Sequence, residues 1–127
     1  MLSQTTPVAT LATADLSKAR PFYEDTLGLA VQREGMGGVF YSCGTGRVFV
    51  YESAFAGTNK ATALTFDVDD IGAEVRELKD KGVFFESYDM PGLEKQGDLY
   101  VAEGMKTAWF KDPDGNILSL FEGKAEA

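Results

Sequence analysis

The feature that most constrains the fold is an order of elements that occurs twice along the chain. In the first half, Asp15 is placed to cap a helix, and the glycine expected to end that helix, Gly28, follows 13 residues later. In the second half, Gly82 follows Asp70 by 12 residues. Each predicted helix comes after one apolar strand and before further strands. This repetition predicts an α+β fold of two tandem β-α-β-β-β modules.

Both modules together fit one domain spanning residues 1–127, because domains commonly contain about 100–150 residues. The first module covers about 7–55 and the second about 61–122. The predicted strands are 8–13, 29–34, 39–42 and 47–52 in the first module, and 63–68, 83–86, 106–111 and 117–122 in the second.

Two irregularities interrupt the repeat. Pro21 lies inside the first predicted helix, where it removes a backbone hydrogen bond, so we expect a kink or a later start of that helix. The second module is also longer than the first by about 14 residues, a length typical of a functional or mobile loop. We assign these extra residues to a loop at 87–105.

Three motifs follow one another in the two modules. The first combines Asp15-Leu16 with Phe22-Tyr23 and Leu27-Gly28, the second is the run 66–70, and the third is the run 109–116. With these motifs, the chain resembles the vicinal oxygen chelate superfamily over about residues 7–122. That superfamily includes glyoxalase I, extradiol dioxygenases, fosfomycin-resistance enzymes and bleomycin-resistance proteins. The resemblance implies that each module supplies an incurved mixed sheet, and that both sheets form a cup with the helices outside.

Metal-dependent members of that superfamily bind one divalent cation at four cup-facing positions, on the first and last strand of each module. The internal repeat maps these positions to Val8, Val50, Ala63 and Ser119. Valine and alanine side chains cannot donate electron pairs to a cation, and serine is a poor neutral ligand. The chain contains no histidine. We therefore expect no metal site and no cofactor.

Losing these ligands would abolish the metal chemistry of glyoxalase I and the extradiol dioxygenases. In this respect the chain is most similar to the bleomycin-resistance proteins, which bind drugs without a catalytic metal and often form homodimers. The resemblance thus implies a metal-free small-molecule binding protein that holds an aromatic or amphipathic ligand in the cup. A second copy of the chain is its expected protein partner.

Seven residues are predicted to contact this ligand: Phe40, Val50, Glu52, Thr65, Asp67, Trp109 and Ser119. Phe40 and Trp109 occupy corresponding positions in the two modules, and both rings could stack on a planar ligand. The two carboxylates could bind a cationic group. Period-two alternation places Thr65 on the cup side of its strand. The alternative is that the rings fill the core, and that solvation and helix capping account for the carboxylates.

Two enzymatic functions stay open beside this prediction, and neither has an assigned catalytic residue. The first is a lyase or dioxygenase whose metal ligands have moved to Glu52, Asp67 or the acidic loop. The second is a metal-free enzyme that combines one of these carboxylates with Tyr41, Lys111 or Cys43. A nucleophilic cysteine would need a basic neighbour to lower its pKa.

Composition excludes several classes of partner. The net charge of −8 opposes binding to phosphate backbones and anionic lipid surfaces, so we expect neither nucleic acid nor membrane as a partner. No apolar run approaches the roughly 20 residues of a membrane span. The single cysteine, Cys43, cannot form an internal disulfide, and we therefore expect a cytoplasmic location.

Overall fold

The first module forms a four-stranded mixed sheet. The computed structural model describes residues 1–123, and a short 3₁₀ turn at Leu2–Gln4 precedes this sheet. Its elements are β1 (Val8–Thr13), α1 (Leu16–Pro21), a π-helical turn (Phe22–Thr26), β2 (Ala30–Gly35), β3 (Gly38–Cys43) and β4 (Gly46–Glu52). The strand order is β1-β4-β3-β2, with β1 parallel to β4 and the other neighbours antiparallel. All four predicted strands of this module are confirmed.

The first helix begins where the sequence predicts. The Asp15 carboxylate accepts a hydrogen bond of 2.9 Å from the backbone N–H of Ser17, which is the capping contact expected at a helix start. A later start is therefore wrong, but the irregularity predicted at Pro21 is present. The α-helix ends at Pro21, and the next turn widens so that Leu27 N–H donates to the carbonyl of Phe22, five residues earlier.

The second module forms a five-stranded mixed sheet. Its elements are β5 (Thr62–Asp67), α2 (Ile71–Asp80), β6 (Glu94–Gln96), β7 (Leu99–Ala102), β8 (Met105–Lys111) and β9 (Ile117–Glu122), in the order β5-β9-β8-β7-β6. Asp70 caps α2 by accepting a hydrogen bond from Ala73 N–H, and Gly82 follows the helix with a φ of 92°. Within residues 1–123, neither helix is long and apolar enough to span a membrane.

Two predictions for the second module are wrong. The stretch 83–86 is no full strand, because it contributes only the isolated bridge between Phe85 and Phe110. The stretch 87–105 is not one long loop, because it contains the hairpin of β6 and β7. β7 pairs with the first half of β8. The last residues of β8 instead contact Phe85 and Glu86, since Phe85 bridges to Phe110 and Glu86 N–H donates to the carbonyl of Trp109. One edge of β8 is therefore shared by two segments that are distant in sequence.

Each sheet buries one face against the helical part of its own module. In the first sheet the buried residues include Val39, Tyr41, Val48 and Val50, and the Tyr41 ring stacks on Tyr23 of the π-helical turn with centroids 6.0 Å apart. In the second sheet the buried residues of this face include Ala108, Phe110, Leu118 and Leu120, and Ile71, Val75 and Leu78 of α2 are buried as well. Period-two alternation places the intervening side chains on the opposite face of each sheet. We call this second face the open face.

The chain divides into two compact units. The first contains residues 1–63 together with 112–116, and the second contains residues 64–111 and 117–123. The turn 112–116 thus belongs with the first unit, although it joins β8 to β9. Asn116 Nδ2 donates to the carbonyl of Ala12 at 2.8 Å, and Tyr23 Oη donates to Asp112 Oδ2 at 2.6 Å. The α+β class with two mixed sheets is confirmed.

Candidate ligand-binding site

The open face of the second sheet combines two hydroxyl groups with one large aromatic ring. Trp109 of β8 lies directly opposite Ser119 of β9, so both side chains point to the same face. The hydroxyl of Thr65 on β5 is hydrogen-bonded to that of Ser119 at 2.7 Å. Ser119 is buried and Trp109 is half-buried. Three of the predicted ligand contacts thus lie together on this face.

Two tyrosines flank the Trp109 ring. The rings of Tyr88 and Tyr100 have centroids 5.6 and 5.1 Å from that of Trp109, and both meet it edge-on, with interplanar angles of 73° and 66°. The Tyr100 hydroxyl donates to the carbonyl of Tyr88 at 3.0 Å and accepts from the Tyr88 N–H. Edge-to-face geometry is favourable for aromatic pairs. We call Tyr88, Tyr100 and Trp109 the aromatic cluster.

One polar atom of the aromatic cluster lacks a partner. The Tyr88 hydroxyl is buried, and no donor or acceptor among residues 1–123 lies within hydrogen-bond distance of it. Burial raises the pKa of this phenol, and the negative charge of Glu86 raises it further, so the hydroxyl keeps its proton at neutral pH. A buried hydroxyl without a partner costs about 1–3 kcal/mol.

The alternation predicted along β5 is confirmed. Leu64 and Phe66 are half-buried, whereas Thr65 and Asp67 are exposed. The hydrogen bond to Ser119 places Thr65 on the open face. Asp67 lies two residues further along β5, so its side chain points to the same face. Asp67 therefore supplies a solvent-exposed carboxylate on that face.

The open face of the first sheet carries a stack of aromatic rings. Phe40 of β3 lies opposite Phe49 of β4, and their rings stack with centroids 4.2 Å apart. The ring of Tyr51 continues the stack, 5.6 Å from Phe49 and nearly parallel to it. Phe40 thus points to the open face.

Val50 does not share that face. Its partner on β3 is Val39, it is 1% exposed, and it belongs to the buried face of the first sheet. The sequence-based prediction for β4 is wrong by one residue, because the turn between β8 and β9 is one residue longer than the turn between β3 and β4. Four residues separate Ser42 from its partner Arg47, whereas five separate Lys111 from Ile117. Phe49, not Val50, therefore corresponds to Ser119, and a shift of one residue along a strand reverses the face.

Glu52 has a local role at the start of α1. Its carboxylate accepts a hydrogen bond of 3.1 Å from the backbone N–H of Leu16, the first residue of the helix. Free N–H groups at a helix start favour such a negatively charged acceptor. Helix capping, the alternative considered from sequence, thus describes the position of Glu52.

The side chains at the family's metal positions do not fit a divalent cation. Val8 on β1 and Phe49 on β4 are hydrocarbon, as is Ala63, and the Ser119 hydroxyl is hydrogen-bonded to Thr65. Elsewhere in the described chain, no three Cys, Asp or Glu side chains lie close enough together to hold a metal ion. Hard cations require several anionic or neutral oxygen ligands in one place. No step of a reaction can therefore be derived through a metal at these positions.

The groups considered for a metal-free reaction are poorly suited to it. Burial raises the pKa of the Cys43 thiol, which disfavours the thiolate that a nucleophile needs. Burial and a hydrogen bond to the Glu24 carboxylate raise the pKa of Tyr41, so its phenolate is also disfavoured. The ammonium of Lys111 lies 3.7 Å from the carboxylate of Glu86. The Cys43 thiol and the Tyr41 phenol therefore keep their protons.

A family comparison agrees with the two-sheet architecture. The sequence pattern of the glyoxalase/bleomycin resistance protein/dioxygenase superfamily matches residues 5–120, nearly the whole chain. The chain belongs to this superfamily. No significantly similar sequence was found among the curated proteins.

Solved structures of other superfamily proteins have the same fold at low identity. TnmS3, an antibiotic binding protein from Streptomyces sp. CB03234, is 19% identical, with a TM-score of 0.72 and coverage of 98% of this chain and 99% of that one. A lactoylglutathione lyase from Agrobacterium tumefaciens is 19% identical, with a TM-score of 0.71 and coverage of 98% and 97%. A putative glyoxalase family protein from Bacillus anthracis is 20% identical, with a TM-score of 0.68 and coverage of 95% and 96%.

Sequence reasoning missed most of the aromatic residues around the candidate site. Tyr88 and Tyr100 lie in the stretch interpreted as a loop. Tyr100 reaches Trp109 because β7 pairs with β8, and Tyr88 does so because Glu86 N–H donates to the carbonyl of Trp109. Phe49 and Tyr51 were missed because the one-residue error assigned Val50 to the open face. The alternation of aromatic and valine residues along 47–52 could have identified the ring-bearing face.

Proposed function

We propose that this protein binds an aromatic small molecule without using a metal ion. The observation that carries the proposal is the aromatic cluster beside the Thr65–Ser119 hydroxyl pair, on a face where metal-dependent relatives would carry a metal ligand. A planar ligand could stack on the exposed part of Trp109, while hydroxyl groups next to it fix its orientation. One structurally similar protein is an antibiotic binding protein, which supports an antibiotic or drug-like compound as the ligand class.

The unpartnered Tyr88 hydroxyl adds a specific requirement for the ligand. Since this group is a protonated donor inside the aromatic cluster, the proposed ligand has an acceptor, such as a carbonyl or ether oxygen, at the edge of its ring system. Asp67 supplies a negative charge on the same face, which favours a ligand with a cationic group at its other end. The proposed assembly is a homodimer, as in the bleomycin-resistance proteins that the chain resembles.

The two enzymatic alternatives have weaker support. A metal-dependent lyase or dioxygenase needs at least three suitable side chains in one place, and residues 1–123 contain no such group of Cys, Asp and Glu. For a metal-free enzyme, the raised pKa values of Cys43 and Tyr41 disfavour a thiolate nucleophile and a phenolate base.

The test is a titration of the full chain with a panel of planar aromatic antibiotics, before and after treatment with EDTA. Trp109 is the only tryptophan, so its fluorescence reports directly on the proposed contact. We expect a saturable change that EDTA does not affect. Native mass spectrometry of the freshly purified protein would report subunit number, bound metal and bound ligand together. A stoichiometric metal ion whose removal abolishes binding would overturn the proposal.

Variants locate the binding site. By calorimetry, Trp109→Leu should weaken binding of a panel ligand at least about tenfold, because stacking on an aromatic ring contributes about 1–3 kcal/mol. Phe84→Leu is the matched control, since Phe84 is an aromatic residue of the same unit and is 82% exposed. Tyr88→Phe should weaken ligands that carry the edge acceptor and leave others unchanged. Equal affinities for wild type and Trp109→Leu would exclude the aromatic cluster as the site.

A further inference from the structure

A second group of side chains with its own chemistry lies on the open face of the first sheet. The guanidinium carbon of Arg33 is 4.9 Å from the centroid of the Phe40 ring, and that of Arg47 is 5.9 Å from the same centroid. The other neighbour of this ring is Phe49, stacked at 4.2 Å. Two cations therefore share one end of the aromatic stack Phe40–Phe49–Tyr51.

An irregularity in β2 places Arg33 on this face. The register with β3 shifts between Val31, which pairs with Tyr41, and Arg33, which pairs with Phe40. The extra residue, Gln32, is a β-bulge, a feature that redirects the side chains after it. Without it, Arg33 would oppose Val39 on the buried face of the sheet. The bulge thus moves an arginine from the helix side to the end of the aromatic stack.

Unlike Arg20, these two arginines have no acidic partner. Glu34, the residue after Arg33, points to the other face and forms an ion pair with Arg20 at 3.2 Å. Within the described part of the chain, neither Arg33 nor Arg47 has a carboxylate within 4.0 Å. The guanidinium planes contact a ring, but their N–H donors are available for an anion.

From this geometry we infer that the open face of the first sheet binds aromatic carboxylates. The ring of such a ligand would pack beside the Phe40 end of the aromatic stack, and its carboxylate would accept hydrogen bonds from Arg33 and Arg47. Arginine recognises carboxylates through paired N–H donors, which makes it more selective for this group than a point charge would be. The inference rests on the first unit alone and does not depend on binding by the aromatic cluster around Trp109.

Three probes separate the charge from the ring in a calorimetric titration of the full chain at low ionic strength. Naphthoate carries both, naphthylmethanol carries only the ring and acetate only the charge. We expect naphthoate to bind at least about tenfold more tightly than naphthylmethanol, because charge-assisted hydrogen bonds are roughly twice as strong as neutral ones. Acetate should give no measurable binding over the same concentration range. Equal affinities for naphthoate and naphthylmethanol would overturn the inference.

Substitutions identify the residues. Arg33→Gln and Arg47→Gln should each weaken naphthoate binding by about fivefold or more and leave naphthylmethanol unaffected. Arg76→Gln is the matched control, because it removes the same charge from an exposed position on α2. Phe40→Leu should weaken both ring-containing probes. The Nε–H signals of Arg33 and Arg47 should also shift in ¹⁵N spectra when naphthoate is added.

Two results would contradict the assignment. If Arg76→Gln weakened naphthoate binding as much as Arg33→Gln, the effect would come from overall charge and not from this face. If Trp109→Leu abolished naphthoate binding while both arginine variants kept it, the anion would bind at the aromatic cluster. In the second case the proposed function would stand and only the inference about Arg33 and Arg47 would fall.

Discussion

The phenol of Tyr23 donates a hydrogen bond of 2.6 Å to Oδ2 of Asp112, and both residues are buried. The same carboxylate accepts from Asn116 Nδ2 and from the backbone N–H groups of Asp114 and Asn116. Burial raises the pKa of Tyr23, and the charge of Asp112 raises it further. The phenol therefore stays a donor, and the contact anchors the turn 112–116 to the first unit.

Tyr23→Phe should destabilise the protein by about 1–3 kcal/mol, because it removes one donor from a buried carboxylate that water cannot reach. Urea unfolding followed by circular dichroism measures the change. An unfolding midpoint equal to that of the wild type would mean that the remaining three donors satisfy Asp112 without Tyr23.

Tyr88→Phe is expected to behave in the opposite way. The Tyr88 hydroxyl is buried without a hydrogen-bond partner in the described structure, so its removal abolishes a desolvation cost and breaks no bond. The unfolding free energy should stay within about 0.5 kcal/mol of the wild type or increase. A loss comparable to that of Tyr23→Phe would reveal a partner for this hydroxyl.

Thr65 and Ser119 should behave as a coupled pair. Thr65→Val and Ser119→Ala each remove one side of a 2.7 Å hydrogen bond, and each should cost about 1 kcal/mol of stability. The double variant should cost less than the sum, with a coupling of about 0.5–1 kcal/mol in a double-mutant cycle by urea unfolding. Strict additivity would show that the two hydroxyls do not stabilise each other.

Cys43 should react slowly with iodoacetamide in the native protein. Because burial raises the pKa of its thiol, the reactive thiolate is scarcer at neutral pH than in an unfolded chain. Mass spectrometry of samples quenched at successive times, with and without denaturing urea, measures both rates. Faster labelling of the native protein would indicate an activated cysteine and would favour the covalent enzymatic alternative.

Asp15 should make stability depend on pH at the acidic end. Hydrogen bonds from the hydroxyl and the N–H of Ser17 lower the pKa of Asp15 below its ordinary value of 3.8. Because the pKa of Asp15 is lower in the folded than in the unfolded chain, its carboxylate contributes fully to stability above pH 3.8. This contribution is lost as the pH falls through the pKa of the folded state.

The control for this effect is Asp15→Asn, which keeps a capping oxygen but cannot titrate. The difference in unfolding free energy between wild type and Asp15→Asn should be constant near neutral pH and should shrink in acid. A difference that stays constant throughout the acidic range would exclude Asp15 as the source.

Local signals in the sequence were sufficient for much of the architecture. Asp15 and Asp70 are short acceptors directly before apolar helical spacing, and Gly28 and Gly82 adopt positive φ values after each helix. These contacts lie within a few residues of each other, so they depend little on the rest of the fold. The order of elements in the first module, the helix of the second module and the superfamily could therefore be predicted from the sequence itself.

Tertiary structure alone decided which side chains meet at the candidate sites. A turn one residue longer in the second module places Phe49 where the repeat indicated Val50, and a single bulge at Gln32 brings Arg33 onto Phe40. Strand side chains alternate with a period of two, so each one-residue shift reverses a face. Pairing of β7 with β8, which brings Tyr100 to Trp109, is local, because Glu103 and Gly104 join the two strands in a tight turn with positive φ at both residues. The contact of Phe85 and Glu86 with the last residues of β8, next to Tyr88, joins segments that are distant in sequence and has no such local signal.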